Sequence, residues 1–119
     1  MGLFDKLKKE KTKIIDFSDI DSDEKVMELA QKKILMPLYL MPLRFNGEES
    51  VSNRLFVPPF VVELKDRYDD MVEKLLIEDK VNGYSCSPAY KGSSRIPYKI
   101  EIAAKKDGNP VFTETINVW

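Results

Sequence analysis

The chain has no histidine and a single cysteine, Cys86, among its 119 residues. Histidine is the only side chain whose unperturbed pKa lies near neutrality, and it is the commonest metal ligand. Its absence removes Ser-His-Asp and Cys-His relays and ordinary His/Cys zinc sites. One cysteine excludes an internal disulfide and a CxxC redox pair. No catalytic residue, metal ligand set or cofactor motif is therefore assigned. Whatever chemistry is left belongs to carboxylate, lysine, arginine, tyrosine or Cys86.

Other absences bound the class. No apolar run reaches the length of a membrane span. The N-terminal lysines are followed by no apolar h-region, so no secretory signal is expected. A formal net charge of −1 lacks the excess of Lys and Arg that a nucleic-acid binder needs. No repeat or low-complexity tract occurs. What is present, 43% apolar and 33% charged residues, suits a folded α+β domain. A lone thiol fits a cytoplasmic location.

Charge is uneven at the start. Lys6, Lys8, Lys9, Lys11 and Lys13 precede an acidic block of Asp16, Asp19, Asp21, Asp23, Glu24 and Glu28. Residues 1–20 read as a basic then acidic extension, and 21–119 as a single domain. Leu3, Phe4 and Leu7 outline an amphipathic turn, but three side chains make a weak, reversible anchor, so membrane-surface contact is not expected. Gly2 starts a myristoylation pattern that Lys6 breaks, where Ser or Thr is needed. Asp19, Asp21 and Asp23 open like a calcium loop, yet Glu24 stands where the sharp turn needs Gly and Ala30 where a bidentate Glu belongs. The better reading is a helix start capped by Asp21 or Ser22.

Ile34 to Phe45 and Val51 to Val57 read as a hairpin of irregular strands around Asn46-Gly47, with Pro37 and Pro42 each removing a ladder donor. Leu64 to Lys80 repeats apolar residues at Leu64, Tyr68, Val72, Leu75 and Leu76, the pattern of an amphipathic helix. Asp66, Asp70 and Lys74, and the pair Asp69 and Glu73, fall on what reads as its solvated face. Residues 81–90, 96–105 and 111–119 carry the aromatic and β-branched residues of a three-stranded antiparallel meander. A three-residue turn with a bulge at Asp107-Gly108 is expected to set Ile102 opposite Phe112 and Tyr98 opposite Ile116. The long helix should cover one face of that sheet.

Two residue sets are candidates for function. Tyr90, Lys91, Ser93, Ser94 and Arg95 combine cations, hydroxyls and a glycine in one loop, groups able to hold a phosphate or carboxylate. Cys86 lies nearby, either activated by Lys91 or Arg95 or buried as a structural thiol. Met36, Tyr39, Met41, Phe56 and Phe60 form a Met-rich, proline-broken stripe that is either core or a partner surface. The leading expectation is a non-enzymatic interaction or accessory module with a protein partner. The alternatives are a small-anion or nucleotide-binding domain built on Lys91 and Arg95, and an enzyme without histidine chemistry.

Overall fold

A computed structural model describes residues 16–119; the expectations that rest on Leu3, Phe4, Leu7 and the lysine tip lie outside them. Helix α1 spans Asp23–Gln31. Ser22 is its N-cap, its hydroxyl accepting from the Lys25 amide at 3.3 Å, while Asp23 and Glu24 sit at the positive dipole end. Lys33 turns the chain through the left-handed region at φ 61°, and β1 (Met36–Tyr39) follows.

Strand β1 pairs antiparallel with β2 (Arg54–Val57), Met36 opposite Val57 and Tyr39 opposite Arg54. The strands are shorter than the apolar runs suggest. Pairing ends at Tyr39 and Arg54, three residues before Pro42, and short 3-10 turns at Leu43–Phe45 and Val51–Asn53 fill the connection. Asn53 organises that loop: its side chain accepts from the Met41 amide and donates to the carbonyls of Met41 and Glu48. Gly47 is required there, since a Cβ would lie 1.9 Å from the Met41 carbonyl oxygen.

Helix α2 runs Pro59–Ile77, starting five residues before the expected Leu64. Pro58-Pro59 is the reason: proline at the first helical position loses no bond and arrives with the right φ. The helix packs against β1 on one side and the C-terminal sheet on the other.

That sheet is the antiparallel meander β3 (Gly83–Ala89), β4 (Lys99–Lys106) and β5 (Asn109–Asn117), in the order β3-β4-β5. Its register differs from expectation. Ile102 faces Glu114 and Ile100 faces Ile116, a slip of two residues that leaves each side chain on its expected face. The turn is a two-residue one with positive φ at both Asp107 (49°) and Gly108 (85°), the type I′ geometry that matches strand twist. The irregularity lies farther along, where Lys105 meets Pro110 and Ala104 meets Phe112, leaving Val111 unpaired. Asn82 brackets the turn, donating to the Asp107 carboxylate and accepting from its amide.

Ile100, Ile102, Ala104 and Ile116 are buried on the inner face, while Ser85, Ser87, Glu101, Thr113 and Thr115 are exposed on the outer one. The sheet is thus covered on one side only. The main core joins it to α1, the hairpin and α2 through Val26, Leu38, Val57 and Val61. Phe17 belongs to this core at 2% exposure, although the sequence placed it in an extension. Ser94 holds it, donating to the Phe17 carbonyl at 2.8 Å.

Candidate functional site

Once α2 begins at Pro59, its inner stripe reads Val61, Lys65, Tyr68, Asp69 and Val72, steps of three and four with Tyr68 and Asp69 adjacent. Two of those five are charged, and both are buried: Lys65 at 3% and Asp69 at 4% exposure. This corrects the expectation that Asp69 lies on a solvated face. The burial is tolerated because each charge is met. Lys65 Nζ donates to Asp69 Oδ2 at 2.7 Å, and the Tyr84 hydroxyl, from the inner face of β3, donates to Asp69 Oδ1 at 2.7 Å. The ammonium also sits 5.5 Å from the Tyr84 ring centre.

Burial and the bond to Asp69 both push the Tyr84 phenol above its usual range. Cys86, two residues along the same face, is pushed up to about 11, mainly by burial. At neutral pH burial holds the thiol in its protonated form. The nearby cation is Lys65, not the expected Lys91 or Arg95, and its effect is outweighed.

Above Lys65 and Asp69 opens a cleft of about 280 Å³, walled by Pro37, Leu38, Tyr39, Leu43 and Val62. Arg44 stands at its rim and clasps the hairpin loop to α2, bonding Asp66 at 3.0 Å, Asp70 at 2.5 Å and Glu73 at 2.8 Å. Hydrogen bonding to Asp70 raises the guanidinium pKa further. Asp66 and Asp70 remain exposed, as their spacing suggested, but they serve Arg44 rather than a ladder with Lys74. Phe45 completes the clasp, packing edge-on to Tyr84 at 5.2 Å.

The loop of Tyr90, Lys91, Ser93, Ser94 and Arg95 is arranged otherwise than a shared anion site requires. Lys91 lies over the rings of Tyr98 and Trp119, at 4.7 and 4.9 Å. Arg95 pairs with Asp23 on α1, and its amide bonds the Ile20 carbonyl. Ser94 is buried and fully engaged, accepting from the Ile96 amide and donating to Phe17. Ser93 is exposed. The two cations therefore have separate partners and do not converge.

Of the stripe residues, Met36 and Phe60 are exposed, while Tyr39, Met41 and Phe56 are partly buried. The structure redistributes both candidate sets. Tyr39 lines the cleft above Lys65. Phe56, Tyr90 and Arg95 instead meet around a second groove of about 390 Å³, between α1, β2 and the loop before Arg95. Asp23, Val26, Met27, Val51, Arg54 and Leu55 contribute to it. Arg54 lies 5.6 Å over the Phe56 ring and makes no ion pair among the described residues.

Among the described residues, no helix is long and apolar enough to cross a membrane. No protein-family model, curated protein or solved structure matches the chain.

Proposed function

We propose that this chain is a non-enzymatic interaction module of the cytoplasm, and that it binds a partner protein through the groove between α1, β2 and the loop before Arg95. The observation that carries this reading is the meeting there of Phe56 with Tyr90 and Arg95, beside apolar side chains left largely in water. Met27 is 47% exposed, Tyr90 48% and Val51 80%, a grouping more typical of an interface than of isolated surface residues. Arg54, already stacked on Phe56, pairs with no carboxylate among the described residues and is suited to take a partner's; arginine beside aromatics is the usual make-up of an interface anchor. The occupant is a segment of partner protein with an acidic residue next to an apolar one.

The non-enzymatic part rests on chemistry. Neither Tyr84 nor Cys86 is ionised near neutral pH, so neither supplies a ready base or nucleophile. The test is site-specific photocrosslinking from Met27 and Tyr90 in the native host. One discrete adduct is expected from both positions, lost on Arg54→Glu and on Val51→Asp, with melting temperature held. Equal crosslinking from Ile77, far from the groove, or adducts unaffected by both variants, would defeat the reading.

A further inference from the structure

A second site, independent of the groove, lies above the buried Lys65–Asp69 pair. We infer that the cleft between β1, the Leu43–Phe45 turn and α2 takes a small neutral ligand, one with a hydrogen-bonding donor–acceptor head of the primary carboxamide type on a compact apolar body.

The head is read from the floor. Charges lining the cleft balance, Arg44 and Lys65 against Asp66 and Asp69. Arg44 is occupied by three carboxylates, and Lys65 by Asp69. An ion entering would shed its water without finding an unmatched opposite charge, which is costly. Hydrogen-bonding capacity nevertheless remains. An ammonium has three N–H groups and a carboxylate about four acceptor sites. Among the described residues, protein partners take one N–H of Lys65 and two acceptor sites of Asp69, and the Tyr84 ring faces the ammonium at 5.5 Å. Both residues line the cleft; in the proposed complex one carboxamide meets the remaining donor and acceptor, its carbonyl accepting from Lys65 while its NH2 donates to Asp69.

The body is read from the walls. Pro37, Leu38, Tyr39, Leu43 and Val62 present apolar surface, and about 280 Å³ is at the small end of ligand pockets. Such sites pair mostly apolar walls with a few fixed polar groups. The polar floor also needs a reason, because a buried ion pair is commonly no more stable than the apolar residues that could replace it. Ligand recognition is a reason the fold itself does not supply.

Benzamide, benzoate and benzylamine share one ring and differ in head charge, so they are the probes. Each is titrated into the full chain while amide resonances are followed by two-dimensional NMR. Benzamide is expected to shift the amides of Leu38, Leu43, Val62 and Asp69 saturably at millimolar concentration, with benzoate and benzylamine at least tenfold weaker. The double variant Lys65→Met/Asp69→Leu, checked for a native spectrum, should weaken benzamide at least tenfold. Leu43→Asp, at an exposed rim position and so tolerated by the fold, should weaken it at least threefold and keeps the test decisive if the double variant misfolds. No saturable shift at the cleft, a preference for either charged probe, or unchanged binding in the folded variants would overturn the inference.

Discussion

Replacing Lys65 by methionine alone leaves the Asp69 carboxylate buried with only the Tyr84 hydroxyl to meet it. Breaking a buried pair from one side costs about 3–5 kcal/mol, because the surviving charge is uncompensated. Asp69→Leu should cost a similar amount, and it also strands the Tyr84 hydroxyl, worth about 1–3 kcal/mol. Removing both charges is different in kind. An apolar pair of similar volume is neutral to about 1–4 kcal/mol stabilising. The stranded hydroxyl offsets part of that, so Lys65→Met/Asp69→Leu should fall within about 2 kcal/mol of wild type. Adding Tyr84→Phe should bring stability to the wild-type value or above. The assay is urea unfolding, where a slope near 1.5 kcal/mol per molar converts 3–5 kcal/mol into a midpoint drop of about 2–3 M. Strong non-additivity is the expected signature. A double variant costing the sum of the two singles, or singles costing under about 1 kcal/mol, would mean the pair is not buried and coupled as the distances of 2.7 Å imply.

Two further outcomes follow from the sheet. Cys86, with its pKa pushed up to about 11 by burial, stays protonated in the folded state while the unfolded thiol ionises near 9. Its contribution is therefore complete below pH 9 and lost as pH rises toward 11, up to about 2–3 kcal/mol. Tyr84, also raised, acts in the same direction; the decline measured by urea unfolding should shrink in Cys86→Ala, and an identical profile would refute the assignment. Gly108→Ala should lower stability by about 1 kcal/mol through backbone strain at φ 85° alone, since its Cβ would meet nothing within 4 Å; an unchanged melting temperature would argue against the type I′ turn.

How much of this was legible in the sequence depended on the range of the interaction. The α+β architecture followed from local pattern: Ile100 and Ile102 alternate, and Val72, Leu75 and Leu76 repeat at helical spacing. The faces of β4 survived even the error in register, because a slip of two preserves them. The sites did not follow. Lys65 and Asp69 at i, i+4 look like a surface ion pair, and only Tyr84, fifteen positions away, makes their burial affordable. The one available signal was Pro59 as a helix start, which puts both residues in line with Val61 and Val72. The alternative of a convergent Lys91 and Arg95 stays open in the sequence because it shows their neighbours and not the rings and carboxylate that each of them meets. Glu73 does stay partly in water, but its bond to Arg44, 29 positions distant, is not visible in the local pattern.

The closure of residues 17–23 onto the end of the sheet has a consequence for biosynthesis. Ser94 reaches Phe17 across 77 positions and Arg95 reaches Asp23 across 72. A chain emerging from the ribosome makes Phe17, Val26 and Leu35 well before the Ile96, Ile100 and Val118 that share their core. At ordinary synthesis rates that interval is on the order of 4–20 s. Contacts of such long sequence separation also form slowly. During that wait the early apolar residues have no native shelter, so the nascent chain should be a client of ribosome-associated chaperones, and its final collapse must await the synthesis of Ile96 to Val118.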